Sequence, residues 1–206
     1  MSQKIIKPSS HPIANEDELI DPQSAKGRLL ATAASLFNQK GYERTTVRDL
    51  AAAVGIQSGS IFHHFKTKEA ILKAVMEETI IFNTSLMKAR LQKAMTPKDK
   101  LLSLIVCELE SINGVTGDAM AVLVYEWRSL NAQNQADILK LRDEYESLWM
   151  QTLTSAKDEG LIEGDVFILR RFLTGALSWS KTWFNNSGEV SMQALAEEAL
   201  RLAIKA

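Results

Sequence analysis

The sequence predicts an all-α protein of about nine helices. Three observations carry that expectation. From Ser24 onward, apolar residues recur at three- and four-residue steps, the period of a helix with one buried face. Gly, Pro and Asn fall in short clusters about one helix apart. Strand-like alternation bounded by turns is nearly absent, and the run Leu104-Ile105-Val106 lies inside a helical pattern. Hydrophobic residues make up 46% of the 206, enough to bury a core.

The elements follow in order. The first 22 residues hold three of the four prolines and no helical period, so a disordered tail over 1–22 is expected. Leu29, Leu30, Ala33, Leu36 and Phe37 give the first apolar face, and Gly41 after Lys40 stops that helix. Thr45 or Thr46 caps a second helix whose inner face is Val47, Leu50, Ala51 and Val54, and Gly55 ends it. A short third helix runs from about Ser58 to about His64. Thr67 caps a fourth, with Glu69 in its first turn and Ile71, Leu72, Val75, Ile80, Phe82 and Leu86 inside, continuing to about Met95. Beyond Thr96-Pro97 the pattern gives helices over about 98–112, 117–130, 133–159, 165–184 and 191–204. The breaks are Asn113-Gly114, Gly160, Gly164 and 185–188. No repeat at a fixed period is evident.

Composition excludes several classes. A single cysteine, Cys107, cannot build a disulfide framework or a multi-cysteine metal site, and it fits a reducing compartment. No run approaches the roughly 18 apolar residues of a membrane span. The N-terminus lacks the apolar core of a secretory signal. A cytoplasmic chain with no membrane partner is expected. There is no Gly-rich phosphate loop, nucleophile elbow or HExxH, so neither an enzyme nor a bound cofactor is expected. Asp143-Glu144 and Glu197-Glu198 are adjacent on helices and point different ways. The same holds for His63-His64, which lacks a third ligand nearby, so no metal site is expected.

Charge is unevenly spread. Residues 1–23 carry Lys4 and Lys7 against Glu16, Asp17, Glu18 and Asp21. Residues 24–70 carry seven basic against three acidic side chains, and the remainder is acidic. A small basic module on an acidic body suits a phosphate backbone while keeping non-specific binding weak. Within that module the second helix, a turn at Gly55 and the short third helix form a candidate helix-turn-helix. A helix fits the major groove with its N-terminal side chains on base edges. Ser58-Gly59-Ser60 is small enough for close approach, and Ile61 and Phe65 can anchor the helix on its own core.

Three runs closely resemble the TetR family of bacterial transcriptional regulators: Thr45-Thr46-Val47-Arg48-Asp49-Leu50-Ala51, Val54-Gly55-Ile56, and Gly59-Ser60-Ile61-Phe62-His63-His64-Phe65-Lys66-Thr67-Lys68-Glu69. The match covers about residues 25–72 and includes Phe37 and Gly41-Tyr42. The resemblance implies a DNA surface of Thr46, Arg48, Gln57, Ser58, Gly59, Ser60, Phe62, His63, His64 and Lys68. Arg48 would reach a base or phosphate, Ser58, Gly59 and Ser60 would face bases, and His63, His64 and Lys68 would sit against phosphates. Gln57 stands where a small hydroxyl residue is frequent and Phe62 where Tyr is frequent, which bears on the operator sequence. The expected division is a tail over 1–22, a helix-turn-helix domain over 23–72, and a ligand-binding and dimerisation domain over 73–206.

In the last of these, aromatic and polar residues mark a candidate ligand site: Tyr125, Glu126, Trp127, Arg128, Tyr145, Trp149, Trp179 and Trp183. The segments 125–128, 141–149 and 175–184 resemble the ligand domains of TetR-type repressors of fatty-acid and steroid catabolism. That resemblance implies an acyl-CoA effector, its CoA portion near Arg128, Arg170 or Arg171. Phe167, Ile168, Phe172, Leu173, Ala176, Leu177, Ser180 and Phe184 form one broad stripe, and Leu195, Ala199, Leu200 and Ala203 a second. Two such pairs would make a four-helix homodimer interface and require a roughly palindromic double-stranded operator. The same stripes also suit the core of a monomer. A repressor of multidrug efflux, with Glu126 as an unpaired buried carboxylate for cationic compounds, is the alternative reading.

Overall fold

The computed structural model describes residues 20–205. Of the expected disordered tail, residues 1–19 lie outside the described residues. The described chain is all-α, with no strand among its residues. The helices are α1 (Ala25–Lys40), α2 (Val47–Val54), α3 (Ser58–His64), α4 (Lys68–Lys93), α5 (Pro97–Asn113), α6 (Gly117–Tyr125), α7 (Ala132–Asp158), α8 (Val166–Trp179) and α9 (Met192–Ala203).

Local chemistry sets most of the boundaries. Ser24, Thr67, Asn131, Asp165 and Ser191 each accept the backbone N–H of the third residue on, capping α1, α4, α7, α8 and α9. Thr46 with Asp49, and Thr96 with Asp99, close reciprocal capping boxes at α2 and α5. Pro97 occupies the first turn of α5, where its missing N–H costs nothing. Gly55 ends α2 at φ 78, a left-handed conformation that glycine adopts without strain.

Two apolar clusters hold the molecule. One joins Leu29, Ala33 and Phe37 of α1 with Leu50, Ile61, Ile71 and Leu72, and draws in Val122, Leu130 and Ile138. The other joins Met87, Leu101, Leu104, Leu109, Trp149, Leu153, Leu173, Leu177, Ala196 and Leu200. α4 contributes to both and runs unbroken past residue 72, so the first cluster spans the expected domain boundary.

Two long helices end earlier than the periodicity predicts. The expected 117–130 helix stops at Tyr125 and tightens into a single 3-10 turn over Trp127–Ser129. There the Glu126 carboxylate leaves the helix face to accept the Tyr42 N–H at 3.0 Å. The expected 165–184 helix stops at Trp179 in a 3-10 turn over Ser180–Thr182, where the Ser180 hydroxyl accepts from Asn113 Nδ2 at 2.8 Å.

Candidate nucleic-acid interface and interior polar cluster

α2 and α3 meet across the Gly55 turn, and α3 is held by its own apolar side. Ile61 is fully buried and Phe65 nearly so. Anchoring these two leaves Gln57, Gly59, Ser60, Phe62, His63 and His64 exposed together, with Ser58 half-buried; Arg48 is exposed on α2. A methyl group built on Gly59 would meet nothing within 4 Å. Glycine inside a helix costs about 0.5–1 kcal/mol relative to alanine. Among the described residues no neighbour requires that cost at Gly59.

The two ends of the expected DNA surface are engaged internally. The Thr46 hydroxyl accepts the Asp49 N–H at 3.1 Å and donates to Asp49 Oδ2 at 2.9 Å, so it serves the α2 cap. That cap holds the Asp49 carboxyl below its ordinary pKa, chiefly through the Thr46 backbone N–H. Lys68, expected against a phosphate, is engaged within the chain in this structure. Its ammonium donates to the carbonyls of Tyr42 at 2.8 Å, Thr45 at 3.0 Å and Glu43 at 3.4 Å, and lies 4.1 Å from the Tyr42 ring centre. Three bonds exhaust the donors of a lysine. Burial, with Glu69, Glu43 and Glu126 nearby, pushes the Tyr42 hydroxyl up to about 12, so Tyr42 stays neutral. Lys68→Met is expected to lower stability by about 1–3 kcal/mol, because it leaves half-buried carbonyls of the 42–45 turn unpaired. Urea unfolding checks this, and an unchanged midpoint would refute the capping role.

The expected ligand residues do not assemble as one group. Tyr145 and Trp149 come together in the interior. Tyr125 is exposed on α6, Trp127 packs half-buried against the first cluster, and Arg128 is exposed on the 3-10 turn. Glu126 is no orphan carboxylate: besides the Tyr42 N–H it accepts the Ser129 hydroxyl at 3.2 Å. Trp179 and Trp183 lie outside, 67% and 56% exposed. Arg170, expected near CoA, is buried and doubly paired, whereas Arg171 is exposed with its guanidinium over the Phe167 ring.

Arg170 organises the interior. From α8 it reaches Glu108 of α5 at 3.2 Å and, through Nε and Nη2, Glu146 of α7 at 3.1 and 3.0 Å. It stacks 4.2 Å from the Trp149 ring centre. The Tyr145 hydroxyl donates to Glu108 Oε2 at 3.1 Å. Burial pushes the Glu108 carboxyl above its usual range, opposed by Arg170. On α4, Thr79, Asn83, Thr84 and Ser85 are buried polar residues. Among the described residues, Asn83 Oδ1 and Thr84 Oγ1 are buried with no hydrogen-bond partner, and Trp149 Nε1 lacks one of good geometry, its side chain interacting with the Tyr145 hydroxyl. Glu108, Glu146, Asn83 and Thr84 were not predicted. Thr79 and Asn83 continue the inner stripe of Leu72, Val75 and Met76 at helical spacing, so polar side chains at core positions were the available signal. Cys107 is buried on α5, its thiol pushed up to about 12 by burial and so held protonated.

The expected dimer stripe divides by face. Leu173, Leu177 and Ser180 point into the second cluster or onto Asn113, and so belong to the protomer's own core. Leu195 and Ala199 pack half-buried against that cluster, and Phe184 is half-buried at the edge of Trp183. Phe167, Ile168, Phe172 and Ala176 are exposed, as is Leu202 of α9.

Among the described residues no helix is long and apolar enough to cross a membrane. Residues 29–75 match the family model described as bacterial regulatory proteins, tetR family. Residues 94–206 match the model described as Tetracyclin repressor-like, C-terminal domain. The chain is 29% identical over 192 residues to the HTH-type transcriptional repressor KstR2 of Mycolicibacterium smegmatis, covering 89% of this chain and 90% of that one. A crystal structure described as superantigen pfit is 61% identical, with a TM-score of 0.82 over 91% of this chain and 93% of that one. The fold is shared with AibR, solved in complex with isovaleryl coenzyme A and operator DNA, at 22% identity and a TM-score of 0.77, over 86% of this chain and 97% of that one.

Proposed function

The chain belongs to the TetR family of bacterial transcriptional regulators, and from that premise we propose that it is a homodimeric repressor, released from a roughly palindromic operator by an acyl-CoA. The observation that carries the DNA reading is the exposed face of α3. Gly59, Ser60 and His63 stand free on a helix that Ile61 and Phe65 hold from behind. Arg48 on α2 supplies a cation beside it. The effector reading rests on the interior cluster of α4, α5, α7 and α8, where Arg170, Glu108 and Tyr145 gather polar groups and, among the described residues, Asn83 and Thr84 keep buried polar atoms without partners. The coenzyme A thioester and operator bound by AibR, and the repressor description of KstR2, point the same way. Release would follow if the thioester binds more tightly to the arrangement in which the two α3 helices miss successive major grooves; only such a difference in affinity shifts the balance.

One observation favours a second effector class. Two carboxylates, Glu108 and Glu146, share the single guanidinium of Arg170. A cationic aromatic compound would find surplus negative charge there rather than at Glu126.

Fluorescence anisotropy on DNA from upstream of the chain's own gene, at fixed salt, tests all of this. Arg48→Ala is expected to weaken binding and, if it meets a phosphate, to lower the salt slope by about 1. Gly59→Leu should abolish binding with the fold intact by circular dichroism. Dissociation by CoA thioesters, but not by the matching free acids or by cationic dyes, supports the acyl-CoA reading. Dissociation by the dyes alone replaces it. Binding to no DNA would overturn the repressor reading and leave the superantigen description of the 61%-identical protein as the lead to follow.

A further inference from the structure

The chain crosses from the helix-turn-helix head to the body once, within α4. One apolar cluster joins the two parts, with Val122, Leu130 and Ile138 of the body packed among head residues. Apolar contact is non-directional, so it resists separation better than a change of angle. Hydrogen bonds are directional and can fix the angle. Those bonds gather at the connection between α6 and α7, residues 126–131. At its start the Glu126 carboxylate accepts the Tyr42 N–H at 3.0 Å, and the Ser129 hydroxyl orients it by donating to its other oxygen at 3.2 Å. At its end the Asn131 N–H donates to Glu69 Oε1 at 2.8 Å, and Asn134 Nδ2 donates to the same oxygen at 2.7 Å. These bonds, the Asn131 N–H first, hold the Glu69 carboxyl below its ordinary pKa. Between the two ends Gln135 of α7 braces the connection, donating to the carbonyls of Trp127 at 3.3 Å and Leu130 at 3.0 Å. The connection is a bracket fixed on the body and bonded at both ends to the head.

Tyr42 opens the turn that leads into α2. Glu126 takes the N–H of Tyr42, and Lys68 takes the carbonyls of Tyr42 and Thr45. Thr46, at the end of the turn, caps α2, and α3 packs on α2 across Gly55. An angle set at Tyr42 is therefore carried to α3 through short, capped segments. Resting on the homodimeric repressor reading above, we propose that Glu126 is a positioning residue for operator recognition. It touches no DNA; it holds each head at one angle to its body and so fixes the half-site spacing that the two α3 helices accept. Half-sites read by such a pair lie about 34–36 Å apart, one turn of the duplex. One base pair more or less moves a half-site by about 3.4 Å and turns it about the duplex axis. A head free to swing follows that change, and a clamped head does not.

Glu126→Gln keeps an acceptor for the Tyr42 N–H; Glu126→Leu keeps the approximate volume and removes it. Fluorescence anisotropy compares the full-length proteins on the operator, on versions whose half-sites are moved together or apart by one base pair, and on a single half-site. The wild type is expected to prefer one spacing. In Glu126→Leu that preference should shrink by at least about fivefold, the lower end of coupling between two sites. Half-site affinity should be unchanged, and Glu126→Gln should restore the preference. A loss of stability alone lowers the folded fraction for every duplex alike and leaves the preference intact. A wild-type preference in Glu126→Leu, or loss of half-site affinity along with the preference, overturns the proposal. If the protein binds no DNA, the repressor reading falls separately, and the clamp is decided by distance. Spin labels go on Phe62→Cys of α3 and Leu139→Cys of α7, positions 46% and 47% exposed, in protein diluted with unlabelled copies. Cys107, buried with its thiol held protonated, stays unlabelled. A distance distribution that is narrow in the wild type and Glu126→Gln and broader in Glu126→Leu supports the clamp; equal widths in all three overturn it.

Discussion

Arg170→Met is expected to cost about 3–5 kcal/mol of stability at neutral pH, the usual result of removing one member of a buried ion pair. The loss is not that of a contact. Glu108 is buried on α5, and burial already holds its carboxyl above the ordinary range while Arg170 opposes the shift. Without the guanidinium, Glu108 keeps the desolvation cost and loses the attraction. The direction with pH follows. A carboxyl whose folded pKa is raised binds more protons in the folded than in the unfolded state, so stability falls as pH rises from the unfolded pKa through the folded one. The variant's deficit should therefore be greatest at neutral pH and shrink as the pH is lowered and Glu108 takes up a proton. Adding Glu108→Leu should restore most of the stability at neutral pH, because an apolar pair of similar volume carries no buried charge. Urea unfolding across pH, on the single and double variants, measures both effects. A deficit independent of pH, or no rescue by the second substitution, would assign Arg170 a packing role through its stack on Trp149.

Much of this molecule was legible as sequence. The helix count, the caps at Thr46 and Thr67, the Gly55 turn and the exposed face of α3 all follow from local signals. Helical spacing reports such features because they depend on neighbours three or four residues away. The interior was less legible. Arg170 and Glu108 are 62 residues apart, and Lys68 and Tyr42 are 26 apart. Nothing in local periodicity tells which distant carboxylate or carbonyl will claim a long cation. The internal partners of Arg170 and Lys68 therefore become visible only when the fold brings them alongside. The same holds for Glu126: its partner is a backbone N–H of the α1–α2 turn. The broad stripe on α8 was found, but its period could not tell the edge that faces the protomer's own core from the edge that faces away.

That second edge carries the other large effect. Ile168, Phe172, Ala176, Trp179 and Trp183 follow one another at four- and three-residue steps and are all exposed, Phe172 at 73%. Leu202 of α9 is 82% exposed. A methyl group built on Gly175, within the stripe, would meet nothing within 4 Å, so another helix has room to approach there. A contiguous apolar surface of this kind marks an interaction site, and a two-fold axis lets the same patch face itself. Phe172→Glu is expected to turn a dimer into a monomer by sedimentation velocity, since it sets two like charges against each other across that axis. The side chain points away from the protomer's core, so helical content should persist at concentrations where the variant is monomeric. Operator affinity should fall by about 10²–10⁴-fold, because the second α3 no longer arrives tethered to the first. Affinity for a single half-site should be unchanged. Leu173→Ala, one residue away and facing inward, is the informative contrast. It should lower stability by about 2–5 kcal/mol through the cavity it leaves, while the folded fraction still dimerises. A Phe172→Glu protein that sediments as a dimer would place the interface elsewhere. Loss of half-site affinity along with the dimer would mean that α8 shapes the DNA-binding head directly rather than by pairing two of them.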